Sequence, residues 1–249
     1  MKAMILAAGR GTRMLPLTEN TPKPLIEVQG VPLLQHTIQY LKFYGVTEII
    51  INVHHFPEQI IDFVKKNGHF GIRIEFSFES DTLLDTGGGL YKARHFFNDN
   101  KPFILTSSDV ITDLNLSELY EFHKQNNPIA TLAVKHRNSS RDFIFDENHR
   151  LCGWHNNMTG ETRLIRSVEK QIRIGFSTIH MINPVLFGLM TERDSFSIVD
   201  VYLRLAPEYP ILGFEHNMSA WFECGRIENL EALNRNPEID SLYKKYHRL

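Results

Sequence analysis

Glycine, arginine and lysine crowd one short stretch near the start of the chain. It reads Leu6-Ala7-Ala8-Gly9-Arg10-Gly11-Thr12-Arg13-Met14 and continues through Pro16-Leu17-Thr18 to Pro22-Lys23-Pro24-Leu25. Gly9 and Gly11 lack a Cβ, so backbone N–H groups there can approach and cradle phosphate oxygens. Arg13 can add a bidentate charged contact, and Lys23 a mobile point charge. A dinucleotide fingerprint would need a third glycine where Met14 stands, and a Walker A loop would need GxxxxGK[ST]. Neither is present. What remains is a longer loop that wraps a triphosphate, or a tight turn carrying surface cations.

A second group is Asp109 in Ser107-Ser108-Asp109-Val110, just past the apolar run Pro102–Thr106. A carboxylate at the C-terminal end of a strand suits an octahedral cation that shares phosphate oxygens. It can equally cap a turn. His54 and His55 lack the spacing of a metal pair; one is expected to face the core and the other a pocket. Gln59 reads as a surface residue, and Cys152 and Cys224 as packing residues.

The bulk composition limits the partners. The chain has 249 residues, 42% hydrophobic and 22% charged, with a formal net charge of -2. No basic surplus points to nucleic acid. Two distant cysteines make neither a CxxC pair nor a disulfide framework, which fits a reducing compartment. The apolar run Ala3–Ala8 is too short for a signal peptide, and no apolar stretch is long enough to span a membrane. The expectation is a cytoplasmic protein of small-molecule partners, monomer or dimer, with no nucleic acid and no membrane.

These residues need a frame. Ala3–Ala7 reads as a buried first strand, and open α/β sheets bind ligands at the C-terminal ends of such strands. Helical spacing over Pro32–Tyr44 stops at Gly45. Glu48–Val53, Ile72–Phe78 and Pro102–Thr106 read as strands, alternating with helices over Pro57–Lys66 and Gly88–Phe97. That alternation predicts right-handed βαβ units and a doubly wound, mostly parallel α/β sheet. Later, Leu116–Gln125 reads as a helix and Ile129–Val134 as a strand. Phe143–Phe145 and Leu151–Trp154 flank Asp146–Arg150 as a hairpin. Ile172–Ile182 is a long strand, Ser197–Leu205 a helix, Ile211–Phe214 and Ala220–Glu223 short strands, and a last helix begins near Glu228. With no repeat or linker, residues 1–249 read as a single domain.

The N-terminal run resembles the G-x-G-T-R-x-x-P-L-T-x-x-x-P-K-P motif of the sugar-phosphate nucleotidyltransferases, matching at every specified position. Asn52-Val53-His54-His55 and Asp85-Thr86-Gly87-Gly88-Gly89 are similar to tracts of the N-acetylmuramate-1-phosphate uridylyltransferase branch. Phe176-Ser177-Thr178-Ile179-His180 resembles its F-S-G-I-H element. As a whole the chain is most similar to the short uridylyltransferase and mannose-1-phosphate guanylyltransferase-like branches.

The resemblance implies a Rossmann-like, GT-A-like fold without a C-terminal β-helix, residues 1–113 binding nucleotide and 114–249 sugar phosphate. It implies the reaction NTP + sugar 1-phosphate → NDP-sugar + pyrophosphate, with Mg²⁺ as cofactor, serving sugar-nucleotide synthesis for the cell envelope. Nucleotide binding falls to Leu6, Ala7, Ala8, Gly9, Gly11, Thr12, Arg13, Thr86, Gly87 and Gly88. Arg13, Lys23 and Asp109 are the implied catalytic residues, and Lys23 with Glu169 and Ser177 the implied sugar-phosphate contacts. Asp109 and Glu223 are the implied metal carboxylates. Two positions depart from the pattern: Ser108 replaces the usual glycine before Asp109, and Glu223 in Trp221-Phe222-Glu223-Cys224-Gly225 replaces an aspartate. UTP with N-acetylmuramate 1-phosphate or a related sugar is the expected substrate pair. The alternatives are a guanylyltransferase on a mannose or heptose 1-phosphate, a cytidylyltransferase on an amino-alcohol phosphate, and a nucleotide-binding regulatory module without turnover.

Overall fold

The computed structural model describes residues 1–79 and 82–247. In chain order it has β1 (Lys2–Leu6), β2 (Glu27–Val28), β3 (Val31–Pro32), α1 (Leu33–Phe43), β4 (Glu48–Val53), α2 (Pro57–Lys66) and β5 (Arg73–Phe78). Then come α3 (Asp85–Lys92), β6 (Phe103–Ser107), β7 (Val110–Thr112), α4 (Leu116–Asn126), β8 (Ala130–Lys135), β9 (Arg141–Phe145), β10 (Leu151–Asn156) and β11 (Thr162–Leu164). The last elements are β12 (Ile172–Ile182), α5 (Leu186–Leu189), α6 (Ile198–Leu205), β13 (Ile211–Glu215), β14 (Trp221–Glu223), α7 (Ile227–Asn234) and α8 (Pro237–Tyr246). The class is the expected one, an α/β fold with a mixed, mostly parallel sheet.

Two compact units share the chain, and neither is one continuous segment. The first holds Met1–Leu83, Thr106–Asn115 and Ser219–Leu249; the second holds Leu84–Leu105 and Leu116–Met218.

In the first unit β1 pairs with β4, and β4 with β5, all parallel. Ala3, Met4, Ile5, Ile49 and Ile51 are fully buried, each large apolar side chain contributing about 1.5–3 kcal/mol. Helix α1 buries Leu33, Leu34, Thr37, Ile38 and Leu41, the face its spacing predicts. It ends in a Schellman motif: Gly45 N donates to Lys42 O at 2.8 Å, and Val46 N to Leu41 O at 3.1 Å. Gly45 has φ 79°, so a glycine belongs there. The β2–β3 hairpin has no counterpart in the sequence reading. Its turn residues Gln29 and Gly30 both have positive φ, as a two-residue primed turn requires. Gln29 N donates to Asn234 Oδ1 at 2.6 Å, tying the C-terminal helices to this hairpin.

In the second unit β8 pairs in parallel with β13 and antiparallel with β12, and β12, β9, β10 and β11 follow in antiparallel order. The predicted β9–β10 hairpin is present. Asp146 Oδ1 accepts from Asn148 N at 3.0 Å and Arg150 N at 2.9 Å, holding its turn. Strand β12 has the predicted bounds, with an irregularity between Phe176 and His180. The helix expected over Gly88–Phe97 instead starts at Asp85 and ends at Lys92, followed by a 3-10 turn over Ala93–Phe96. Its glycines are inside the helix because they pack closely, as described below. No helix among the described residues is long and apolar enough to cross a membrane.

Candidate active site

The first unit assembles the charged residues. Chain exit from β1 is set by Asn52, which faces Leu6 in the register of β4. Its Oδ1 accepts from Ala7 N at 2.7 Å, and its Nδ2 donates to the buried carboxylate of Glu79 at 2.7 Å. A side chain thus replaces the next rung of the ladder and turns the backbone away from the sheet. Sequence reasoning noticed Asn52 only as part of a similar tract; its side-chain partner could not be read from position.

Beyond Ala8 the two loop glycines differ. Gly11 has φ 68°, and a Cβ there would lie 2.9 Å from Thr18 Cγ2 and 3.0 Å from Lys23 Cβ. Thr18 is buried and donates its hydroxyl to Gly11 O at 2.9 Å. Gly11 is therefore required by the fold. A Cβ on Gly9 would meet nothing within 4 Å, and its φ is not positive. Packing gives no reason for a glycine at 9, and the space above it is open. Thr12–Met14 then forms a 3-10 turn that buries Met14 and leaves Thr12 and Arg13 exposed.

Lys23 opens a second 3-10 turn between Pro22 and Pro24, both buried. Two prolines fix the backbone on either side of it. Its ammonium makes a hydrogen-bonded ion pair with Asp109 Oδ2, and both side chains are largely buried. Asp109 lies between β6 and β7. Burial pushes its pKa up, but the Lys23 charge and hydrogen bond, a hydrogen bond from Ser107 and the Arg13 charge outweigh that effect and hold it below its ordinary value. The carboxylate is ionised at neutral pH.

Strand β14 carries the C-terminal chain back to this place. It pairs antiparallel with β7, setting Glu223 opposite Val110, and Cys224 N donates to Asp109 O at 2.8 Å. Glu223 Oε1 lies 3.6 Å from the Arg13 guanidinium. Gly225 sits directly over the Lys23–Asp109 pair: a Cβ there would be 2.8 Å from both Lys23 Nζ and Asp109 Oδ2. Arg13, Lys23, Asp109 and Glu223 are therefore neighbours in space. The tertiary requirement for Gly225 was not evident from its spacing. Cys224 is fully buried, and burial beside Asp109 pushes its thiol up to about 12.

Asp109 and Glu223 supply hard carboxylate oxygens, and no group of three or more potential metal-ligating side chains occurs among the described residues. That donor set fits Mg²⁺, which takes one or two carboxylates and completes its shell with phosphate oxygens and water. It does not fit an all-protein cage.

Several expected site residues lie in the second unit and are otherwise engaged. Gly87 N and Gly88 N both donate to Phe196 O, at 2.9 and 3.2 Å, and Thr86 Oγ1 accepts from Ile198 N at 3.0 Å. A Cβ on Gly87 would fall 2.5 Å from the Phe196 ring, and one on Gly88 would fall 2.6 Å from Asp194 O. These glycines let α3 approach the 194–198 segment, and their amides are hydrogen-bonded to it. Ser177 is fully buried with its hydroxyl 2.7 Å from His216 Nε2, so it presents no surface to a sugar. It falls within the β12 irregularity. Glu169 and Lys170 are exposed on the segment between β11 and β12. In the first unit, His54 and His55 are both half-buried rather than split between core and pocket. Gln59 is exposed and donates to Asn20 O at 2.9 Å.

Known proteins resemble this chain in sequence or in fold. A mannose-1-phosphate guanyltransferase from Yarrowia lipolytica is 32% identical over 91% of this chain and 61% of its own. Mannose-1-phosphate guanyltransferase 2 from Candida glabrata is 41% identical over 93% of this chain and 63% of its own. The chain thus spans about three fifths of the length of these two relatives. A UDP-glucose pyrophosphorylase structure from Acinetobacter baumannii shares the fold, with a TM-score of 0.77 at 14% identity over 98% of this chain and 97% of its own. The family model described as Nucleotidyl transferase matches residues 2–144, more than half of the chain, and includes the glycine loop, Arg13, Lys23 and Asp109. The chain belongs to the nucleotidyl transferase family.

Proposed function

We propose that the chain joins a nucleoside triphosphate to a sugar 1-phosphate and releases pyrophosphate. The observation that carries this reading is the Lys23–Asp109 pair beneath Gly225, beside Arg13 and Glu223 and next to the open Gly9 loop. A sugar 1-phosphate is already an ionised nucleophile, so the reaction needs no general base. Its phosphate oxygen forms a bond to the α-phosphorus, the α–β P–O bond breaks, and pyrophosphate leaves with the electron pair. The protein brings two anions into line, for which positioning can supply about 7–11 kcal/mol. Arg13, half-exposed at the loop, receives charge that builds on the leaving pyrophosphate. Lys23, fixed by its flanking prolines, neutralises charge near the α-phosphate. A Mg²⁺ ion held by Asp109 and Glu223 would neutralise phosphate oxygens when bound.

For the base and sugar two pairs stand. Relatives named as guanyltransferases support GTP with mannose 1-phosphate. The Asn52–His55, Asp85–Gly89 and Phe176–His180 tracts support UTP with N-acetylmuramate 1-phosphate. Pyrophosphate release measured with each of four NTPs against these two sugar 1-phosphates and glucose 1-phosphate tests the reading. One pair should dominate. Nucleotide binding without turnover on any pair would instead establish a regulatory module.

A further inference from the structure

Arg226 has no part in the mechanism above. It follows Gly225 at the entry to α7, with Nε 3.8 Å from Glu223 Oε2 and a terminal nitrogen 3.8 Å from Glu228 Oε1. The other oxygen of Glu223 lies 3.6 Å from Arg13. Each oxygen of this carboxylate therefore faces a different guanidinium.

These pairings differ in kind from Lys23–Asp109. That contact is a hydrogen bond between largely buried groups, whereas Arg13 and Arg226 stand 56% and 40% exposed at separations beyond hydrogen-bonding range. Loose exposed ion pairs add little to stability. Both arginines thus stand beside one carboxylate with no N–H donor within hydrogen-bonding distance of it. Glu223 and Glu228 face the two guanidinium forks with one negative charge each, and no pair is close enough to be bidentate. A polyphosphate offers several charges on oxygens that match those forks bidentately. Glu228 faces a terminal nitrogen of Arg226, also beyond hydrogen-bonding distance.

We propose that Arg226 is a second polyphosphate-binding guanidinium, opposed to Arg13 across Glu223, that takes oxygens of the β- and γ-phosphates and of product pyrophosphate. The proposal rests on the transferase reading and adds a residue to it. Glu223 stands between the two arginines in the free protein, and phosphate oxygens take its place against them, leaving its carboxylate to the metal.

The test is calorimetric titration of inorganic pyrophosphate into the protein in EDTA, so that no metal contributes. Arg226→Ala should weaken binding about 10- to 100-fold, the scale of a lost charge-assisted hydrogen bond, and Arg226→Lys should recover part of it. Arg13→Ala should do likewise, while Arg235→Ala, an exposed arginine paired with Glu231, should not. The Arg226→Ala loss should persist in a Glu223→Gln background, because the contact is direct. If it vanishes there, Arg226 only steadies Glu223 and the proposal is overturned. Pyrophosphate affinity unchanged by both Arg226→Ala and Arg226→Lys, with Arg13→Ala defective, also overturns it and leaves the transferase reading intact. A parent that binds no pyrophosphate overturns the phosphate assignment of both arginines, and the NTP panel then decides separately whether transferase activity stands.

Discussion

Gly225→Ala perturbs the site with one methyl group and no change of charge. Its φ is not in the left-handed region, so alanine fits the backbone and any effect must come from the new Cβ. That atom would stand 2.8 Å from Lys23 Nζ and from Asp109 Oδ2, whereas ordinary contact begins at 3.4 Å. Each group must retreat by about 0.6 Å, and a shift near 1 Å at a reacting centre can cost on the order of 10²-fold. The expected fall in kcat is therefore about 10- to 100-fold. Stability responds less. Overpacking costs about 1–3 kcal/mol, partly offset by about 0.4–1 kcal/mol because alanine restricts the unfolded chain more than glycine. At about 2–4 °C per kcal/mol for a chain of this size, Tm should drop by no more than about 10 °C. Pyrophosphate release on the preferred substrate pair gives kcat, and thermal unfolding gives Tm. Parental kcat in Gly225→Ala would refute the reasoning, since the Lys23–Asp109 geometry would then not need the space it occupies.

Lys23→Met should lower kcat by on the order of 10²–10³, the scale for one preorganised electrostatic contact. It should also raise the Asp109 pKa, because burial then acts with less opposition. In the parent, the depressed pKa contributes stability at neutral pH that is lost as pH falls through the folded value. The variant should lack that acid-side loss in a Tm-versus-pH series, and its kcat profile should fail at a higher pH. Turnover should vanish in EDTA and return with Mg²⁺. Glu223→Asp should stay active, while Glu223→Gln should need more Mg²⁺, as a magnesium titration of each would reveal. Asn52→Ala strips the Ala7 N–H of its acceptor and Glu79 of one donor. It should cost about 1–3 kcal/mol, read as a lower Tm, with nucleotide affinity weakened through the misdirected loop.

Local chemistry was legible in the sequence wherever neighbouring residues carry the whole cause. The Gly9–Lys23 loop is one such case, since its glycines, cations and prolines act through the backbone beside them. The α1 face and its stop at Gly45 are another, fixed by 3.6-residue periodicity and a positive φ. Asp109 was placed at a strand end by the apolar run before it. Contacts between distant segments were decided only by tertiary packing, because no spacing rule states which strand lies beside which. Pairing of β14 with β7 brings Glu223 and Gly225 to the Lys23–Asp109 pair from more than a hundred residues away, with Arg226 beside Glu223. Asn52 caps the exit of β1 only because β4 is in register with it. Gly87 and Gly88 are implied ligand residues by resemblance, and only the structure shows that their missing side chains let α3 pack against Phe196 and Asp194. Ser177 reads as a site residue by resemblance, and in the structure it is buried against His216 within an irregular stretch of β12. A glycine or serine in sequence says what the backbone permits; which neighbour takes that freedom depends on the three-dimensional packing of chain segments far apart in sequence.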